Sequence, residues 1–302
     1  MIAQVLGDRR RSGLAVIIAA AVQCAACGGS PVMPSSRQSG TLDPPPNGLP
    51  VVDSITVQGS RLHEPSNFAD AGETIVVVAK VHDDETPADQ LYYAWNATAG
   101  TFTGTGQSVT WTAPADVPAA TSVTISLRVS EKYGANQAFE HSVDAASTLS
   151  LHDSMKEVGA ISRQFLLDFS DTNIKDADRV MQNFGGTGTC PNPSEVLDER
   201  DQVIAHYTFF RMLSFRVDQP IVSVNFGGVC PTVHGPKRGD ACASVDVMWD
   251  SIDTRDNSRI PNAGTDQITA AYSAANARWF LCSSDYDGHP LTNAGVTALA
   301  QR

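Results

Sequence analysis

Alternating apolar and polar positions fill residues 51–146 and are typical of β-strands. In the run 123–129, Val, Ile, Leu and Val alternate with Thr, Ser and Arg, the period of two that a half-buried strand requires. The run 75–81 repeats the pattern. Further strands are predicted at residues 53–58, 91–96, 107–112 and 135–144. Short strands separated by turn residues, without a helical stretch, predict an all-β sandwich.

The pattern changes from about residue 147 onward. Apolar residues between 154 and 169 have helical spacing, and we expect a second helix from Asp171 or Thr172 to Phe184 and a third from Ser194. Strands are then predicted at residues 207–217, 221–229, 243–253 and 266–282. Helices followed by an antiparallel meander predict an α+β unit over residues 147–290, with 291–302 as a C-terminal tail.

The first 26 residues have the features of an export signal. Three arginines at positions 9–11 precede a nine-residue apolar run, 14–22. As a helix this run would span about 14 Å, too short for a bilayer core of about 30 Å. A cleaved signal peptide is therefore expected rather than a membrane span.

The sequence Ala25-Ala26-Cys27-Gly28 resembles the lipobox of bacterial lipoproteins. The resemblance implies acylation of Cys27, cleavage after residue 26, and attachment to a membrane through the lipid. Gly28 rather than Asp fits sorting to the outer membrane in a Gram-negative organism. An ordinary signal peptide cut near Ala26 is the alternative. Residues 27–50, rich in Ser, Pro and Gly, are expected to form a tether.

Composition narrows the class of protein. Of 302 residues, 42% are hydrophobic and 18% charged, which is typical of a globular chain. The formal net charge is −12, which argues against nucleic acid as a partner. Loss of residues 1–26 would remove one acid and three bases, leaving 32 acids, 18 bases and a net charge of −14.

Residues 51–146 resemble the PKD and Ig-like modules of bacterial surface proteins. The similarity lies in Tyr93-Ala-Trp95, Gly100-Thr-Phe102, Val109-Thr-Trp111-Thr-Ala-Pro114 and the strand at 125–129. It implies a spacer or adhesive module in which Trp95 and Trp111 pack across the sandwich.

Residues 147–290 resemble the NTF2-like (SnoaL or cystatin-like cone) superfamily. The similarity lies in the helix pair around Phe165 and Phe184, the segments 245–249 and 268–272, and the closing Arg278-Trp-Phe-Leu-Cys-Ser283. It implies helices packed on a curved antiparallel sheet around a pocket. In some members of the superfamily that pocket is the active site of an isomerase, a dehydratase or a hydrolase, and in others it only binds a ligand or a protein.

Five residues of this second unit are candidates for chemistry. Tyr207, Arg211 and Tyr272 are expected to contact a ligand, although packing roles are open for each. His206 and Asp250 are the candidates for acid–base catalysis. A structural role is open for His206, and Asp250 is expected on the exposed face of its strand, opposite Val245, Val247 and Trp249.

The chain lacks the common motifs for zinc or nucleotide binding, and no cofactor is expected. Asp83, Asp84 and Asp89 lie in an acidic turn whose oxygens suit Ca²⁺, and a solvated turn is the alternative.

Four cysteines follow the signal region: Cys190, Cys230, Cys242 and Cys282. An even number in an exported chain favours disulfides. We expect Cys230 to pair with Cys242 across a hairpin, which leaves Cys190 with Cys282. The pairs Cys242–Cys282 and Cys190–Cys230 are the alternative.

Three functions remain open at this stage. The first is a non-enzymatic envelope lipoprotein that presents an NTF2-like domain on an Ig-like spacer to bind a small ligand or a protein partner of the envelope. The second is an enzyme whose pocket performs general acid–base chemistry of an isomerase or hydrolase type. The third is a structural or adhesive surface protein.

Overall fold

The computed structural model describes residues 45–291. The proposed signal, Cys27, most of the tether and all but the first residue of the predicted tail lie outside the described residues. The described chain is mainly β-sheet with few helices.

Eight strands form the first half of the described chain. They are β1 (Val51–Gln58), β2 (Phe68–Asp70), β3 (Thr74–His82), β4 (Tyr92–Ala97), β5 (Thr101–Thr103), β6 (Ser108–Thr112), β7 (Thr121–Tyr133) and β8 (Phe139–His152). One sheet has the order β1-β3-β6-β5 and the other β2-β8-β7-β4. All neighbours are antiparallel except β2 and β8.

The two sheets share an apolar core, as the period-two pattern predicts. Every second residue of β3 is buried, and β7 shows the same alternation over 123–129. Trp111, 0% exposed, packs with Ile125 and Leu151 from the other sheet. Its indole N–H donates to the carbonyl of Ala99 at 3.0 Å, so its one polar atom is paired.

The second half contains three helices followed by five strands. They are α1 (Ser154–Ser170), α2 (Ala177–Val180), α3 (Pro193–Phe209), β9 (Phe210–Val217), β10 (Ile221–Cys230), β11 (Lys237–Asp253), β12 (Arg259–Ser273) and β13 (Arg278–Pro290). The antiparallel sheet has the order β10-β11-β12-β13, and β9 pairs with the part of β11 beyond β10. Asp218, Gln219 and Pro220 therefore interrupt one edge of the sheet.

Three element boundaries differ from the sequence-based expectation. The second helix is a single turn, because it begins after Asp176 rather than Asp171 or Thr172 and already ends at Val180. Asp176 caps it by accepting from the N–H groups of Asp178 and Arg179. The predicted strand 266–282 is two strands, β12 and β13, joined by a turn that contains neither Gly nor Pro. The expected boundary between residues 146 and 147 falls inside β8.

Helix α3 is longer than expected and includes Tyr207. The N–H of Phe210 still bonds to the carbonyl of His206, so helical bonding continues to the start of β9. The segment predicted as a strand from residue 207 therefore begins at Phe210. Within it Phe210 and Met212 are partly buried, whereas Arg211, Leu213 and Phe215 are exposed. Arg211, which was expected to contact a ligand, therefore lies with Leu213 and Phe215 on the outer face of the sheet.

The core of this half lies between the helices and one face of the sheet. Val158 and Phe165 of α1 and Val203 of α3 pack against Val245 and Ile268 of the sheet. The side chain of Asp153 caps α1 by accepting from the N–H of Lys156 at 3.1 Å.

Two disulfides tie the second half together. They join Cys190 to Cys282 and Cys230 to Cys242, the pairs of the favoured alternative, with Cα–Cα distances of 5.4 and 5.5 Å. Lys237, not Cys242, is the partner of Cys230 in the strand register, so the pair is not the simple cross-strand pair that we expected. The disulfides indicate an oxidising environment outside the cytoplasm.

The two halves share packed residues. Strand β8 leads directly into α1, and His152 at its end stacks on Phe68 of β2 with ring centroids 5.0 Å apart. Phe68 also meets Phe226 of β10 and Tyr272 of β12, at 5.3 and 4.8 Å. Aromatic packing therefore joins the first half to the sheet of the second.

Candidate functional site

A cavity of about 240 Å³ lies between α1, α3 and the inner face of the second-half sheet. It is called the acidic cavity below. Its lining residues are Phe165, Phe169, Glu199, Gln202, His206, Phe210, Met212, Trp249, Ser251, Ile260, Asn262, Asp266, Ser284 and Tyr286. The wall thus combines aromatic rings with carboxyl, hydroxyl, amide and imidazole groups.

Helix α3 supplies the polar face of the cavity. Glu199, Gln202 and His206 follow one another at spacings of three and four residues, which places them on one side of a helix. Asn192 and Pro193 begin this helix, and Val203 on the same side is fully packed into the core. The packing of Val203 holds Glu199 and His206 against the sheet, whereas Gln202 is largely exposed.

Two buried carboxyl groups meet at Ser284. Glu199 is 4% exposed and Asp266 is 2% exposed. The N–H of Ser284 donates to Oε2 of Glu199 at 3.2 Å, and its hydroxyl donates to Asp266 at 2.8 Å. The N–H of Asp285 adds a bond to Asp266 at 3.2 Å. One residue of β13 thus holds an acid from α3 and an acid from β12 together.

Burial shifts the protonation of this pair. Desolvation, with the negative charge of Asp266, raises the pKa of Glu199 to about 8. Desolvation also raises the pKa of Asp266 to about 6, although bonds from Ser284 and Asp285 oppose the shift. At neutral pH Glu199 is therefore mainly protonated and Asp266 mainly ionised. The pair carries one proton and one negative charge, the arrangement that suits one acid and one base.

Other charges lie near the pair without lining the cavity. Asp285 makes hydrogen bonds with both the backbone N–H and Nδ1 of His234. Lys237 pairs with Glu195 at 3.8 Å. The charges of Asp285 and Lys237 act on Glu199 and Asp266 through space. Asp285 raises the pKa values of the two carboxyls and Lys237 lowers them.

His206 is neutral in this environment. Its ring stacks on Phe169 with a centroid distance of 4.1 Å and lies 6.4 Å from the ring of Trp249. Desolvation among these rings lowers the pKa of His206 to about 4. A neutral imidazole can accept or donate a hydrogen bond, whereas an imidazolium only donates.

Three buried polar atoms of the lining have no hydrogen-bond partner within residues 45–291. They are Nε2 of His206, Oδ1 of Asn262 and the hydroxyl of Tyr286. Leaving such an atom unpaired costs about 1–3 kcal/mol. All three belong to residues that line the cavity, where a polar ligand would supply the partners that buried donors and acceptors normally have.

The aromatic side of the cavity is fixed in orientation. Trp249 lies against Tyr286 with ring centroids 4.6 Å apart, and against Phe169 at 6.0 Å. The indole N–H of Trp249 donates to the hydroxyl of Ser170 at 2.7 Å. Burial raises the pKa of the Tyr286 phenol, so the hydroxyl stays protonated at neutral pH.

Of the five candidates from the sequence, His206 lies in the cavity wall. Tyr207 packs against the apolar core instead, and Arg211 is exposed on the outer face of β9. The hydroxyl of Tyr272 contacts Nε2 of His152 at 3.1 Å, in the junction between the halves.

Asp250 is 4% exposed, so the expectation of an exposed carboxylate was wrong. Arg259 from the paired strand β12 covers it, donating to it through Nε at 2.8 Å. This pairing gives Asp250 a structural role away from the cavity lining.

The acidic turn of the first half folds back on itself. One carboxyl oxygen of Asp83 accepts from the N–H groups of Glu85 and Thr86, at 3.0 and 2.7 Å, so it serves as a turn-forming side chain. In residues 45–291, no group of three or more His, Cys, Asp or Glu side chains is placed to hold a metal ion.

Sequence reasoning did not find Glu199, Asn262, Asp266 or Tyr286. One signal was available, because Glu199, Gln202 and His206 share a helix face that also carries the apolar Val203. The strand residues gave no comparable signal, since their common position depends on the register between β12 and β13.

Within residues 45–291, the helices are all too short or too polar to cross a membrane. No family model, no curated protein and no solved structure matches this chain.

Proposed function

We propose that the protein is an exported envelope lipoprotein whose second half binds a small molecule in the acidic cavity. The arginines at 9–11, the apolar run 14–22 and the lipobox-like residues around Cys27 support export and acylation. The two disulfides support an oxidising compartment. The eight-stranded first half then acts as a spacer between the anchor and the binding domain.

The assignment of the two halves rests on architecture. Two packed four-stranded sheets agree with the resemblance to PKD and Ig-like modules. Helices followed by an antiparallel meander that encloses a cavity agree with the resemblance to NTF2-like domains. Since neither fold selects one function, the binding proposal depends on the cavity and not on the fold.

The observation that carries the proposal is the set of unpaired polar atoms around an aromatic cavity. Small-molecule sites combine apolar walls with a few convergent polar groups, usually within about 300–1,000 Å³. The acidic cavity has this composition at about 240 Å³, which favours a small ligand. Its buried polar atoms provide the specificity.

A thermal-shift screen of residues 31–302 against small metabolites tests the binding proposal. We expect some compounds to raise the unfolding temperature and Trp249→Ala to reduce their effect. Trp111→Phe, in the core of the first half, serves as the control that retains ligand binding. Absence of a shift across the whole screen would contradict the proposal.

Acid–base catalysis is the second candidate function, and the carboxyl pair favours it. Glu199 in its protonated form would donate a proton, and ionised Asp266 would accept one from the same ligand. General acid–base catalysis contributes about 10²–10⁴-fold to a rate. If a ligand from the screen is turned over, Glu199→Gln and Asp266→Asn should each lower kcat by that order. Unchanged kcat in both variants would exclude this role.

The lipid anchor has a separate test. Metabolic labelling with a fatty-acid analogue should mark the wild-type protein and not Cys27→Ser. Labelling that persists in Cys27→Ser would overturn the assignment of this cysteine.

A further inference from the structure

The acidic cavity has an unbalanced charge. Glu199 and Asp266 are the acids of its lining, and neither Lys nor Arg belongs to the lining found within residues 45–291. His206 is the one basic side chain in that set, and its stacked position on Phe169 keeps it neutral. The wall therefore carries a net negative charge at neutral pH.

The basic side chains Lys237 and Arg259 are engaged with other acids. Lys237 pairs with Glu195, and Arg259 forms a two-point contact with Asp250. His234 contacts Asp285. Lys237 and Arg259 each have an acidic partner of their own, and the lining found within residues 45–291 contains no Lys or Arg to balance the charge of the Glu199–Asp266 pair.

Aromatic faces line the cavity beside these acids. The rings of Phe169, Trp249 and Tyr286 form a continuous series with centroid distances of 6.0 and 4.6 Å. A cation within about 6 Å of a ring face is attracted by the ring quadrupole, and most strongly by Trp. Carboxylates and ring faces together favour a positively charged group.

The unpaired atoms add hydrogen-bond acceptors. Oδ1 of Asn262 only accepts, and the hydroxyl of Tyr286 and Nε2 of neutral His206 are able to accept. An ammonium group that carries hydrogens has up to three donors for such atoms. A quaternary ammonium ion would match the rings but would leave the acceptors unpaired.

We propose that the acidic cavity selects a small protonated amine, with the ammonium group bound by Asp266 and the acceptors of its wall and the carbon frame packed on Trp249 and Tyr286. The proposal rests on the proposed small-molecule function and defines its ligand class. Ammonium and carboxylate then neutralise each other in a cavity whose lining, within residues 45–291, contains no Lys or Arg.

Matched compounds test the ligand class. The purified full chain is titrated calorimetrically at pH 7.5 with 2-phenylethylamine, 2-phenylethanol and 3-phenylpropionate. Butyl and cyclohexylmethyl compounds that carry the same amine, alcohol or carboxylate group complete a set of nine. We expect the amine to bind about tenfold or more tightly than its alcohol and carboxylate counterparts on at least one frame.

Variants locate the interaction. The double variant Glu199→Gln, Asp266→Asn should weaken amine binding by about tenfold or more, because it leaves no charge in the pair. Asp266→Asn alone would lower the pKa of Glu199, whose carboxylate could then carry the charge instead. Glu199→Gln should have a smaller effect at this pH, because Glu199 is already neutral. Asp201→Asn, on the exposed side of α3, is the matched control and should bind as the wild type does.

A pH series on the wild type needs no variant. The amine stays protonated from pH 5 to 7.5, whereas Asp266 gains a proton as the pH falls through 6. Glu199, Asp285, Lys237, His206 and Tyr286 surround Asp266, and in this range Glu199 stays protonated and His206 and Tyr286 stay neutral. Amine binding should therefore weaken several-fold toward pH 5.

The outcomes separate the two proposals. Alcohols or carboxylates that bind as tightly as the amines would overturn the amine class and leave small-molecule binding intact. Absence of binding by all nine compounds would overturn the amine class, and it would contradict small-molecule binding as well if the metabolite screen is also negative. An amine preference that persists unchanged in the double variant Glu199→Gln, Asp266→Asn would place the ligand elsewhere.

Discussion

At the scale of single residues, the acidic cavity depends on where two carboxyl groups are buried. Glu199 and Asp266 are nearly inaccessible, and both depend on Ser284 for a hydrogen bond. Burial keeps one of them protonated at neutral pH. Because Glu199 is protonated in the folded protein at neutral pH, the free energy of unfolding depends on pH.

We expect Glu199→Gln to become progressively more stable than the wild type as the pH rises from 4.5 to 8. The folded protein keeps the proton on Glu199 up to pH 8, whereas the unfolded chain loses it near 4.5, so the free energy of unfolding of the wild type falls across this window. Gln does not titrate, and the difference should reach at most about 5 kcal/mol.

Urea denaturation at several pH values measures this difference. Asp201→Asn, at an exposed site of the same helix, should show a difference that stays nearly constant with pH. A flat difference for Glu199→Gln would mean that Glu199 titrates normally in the folded protein.

At the scale of elements, the strands at 75–81 and 123–129 and the helix over 154–169 were predictable, whereas the extent of α2, the end of α3 and the division of 266–282 into two strands were not. Residues 75–81 and 123–129 are strands as predicted, because their alternation of apolar and polar residues matches the alternation of buried and accessible positions in a strand. The alternation from 207 to 215 fits a strand, so the sequence predicted Tyr207 in the strand. In the structure Tyr207 belongs to α3, and the bond from the N–H of Phe210 to the carbonyl of His206 marks the end of that helix. Arg211, which was expected to contact a ligand, lies on the surface of β9.

The site was harder to predict than the fold, because its residues come together only through the pairing of strands. His206 was recognised as a titratable residue near the end of α3. Asp266 and Tyr286 contribute only because β12 and β13 pair them directly, and this register is a long-range property that no local pattern contains. The partner of Asp250, Arg259, likewise depends on strand pairing.

The N-cap of α1 offers a prediction at this scale. Asp153→Ala should lower the free energy of unfolding by about 1 kcal/mol, because the N–H of Lys156 loses its acceptor. Asp116→Ala is the control, since Asp116 also pairs with Lys156 but on an exposed surface, where ion pairs contribute little. Chemical denaturation compares the two, and equal effects would argue against the capping role.

At the scale of the whole molecule, the two disulfides constrain very different lengths of chain. The Cys190–Cys282 bond closes a separation of 92 residues, and Cys230–Cys242 one of 12. In the chain-entropy treatment these loops correspond to about 4.6 and about 2.8 kcal/mol. The first bond also ties the segment before α3 to β13, beside the acidic cavity.

Removal of Cys190–Cys282 by paired serine substitutions should therefore destabilise the protein more than removal of Cys230–Cys242. Equilibrium unfolding in urea under non-reducing conditions measures both variants. A larger loss for the short loop would show that local packing, and not chain entropy, determines the contribution of these bonds.

The whole molecule also defines the central claim, that the acidic cavity binds small molecules. The chain has four tryptophans, of which Trp249 lies in the cavity wall and Trp95 and Trp111 belong to the first half. Fluorine NMR of protein labelled with 5-fluorotryptophan resolves them, with Trp249→Phe assigning the cavity signal. Titration with a compound that binds in the thermal-shift or calorimetric measurements should shift the Trp249 signal and leave those of Trp95 and Trp111 unchanged. A ligand that moves the signals of the first half, or a bound ligand that moves none of the four, would contradict the claim.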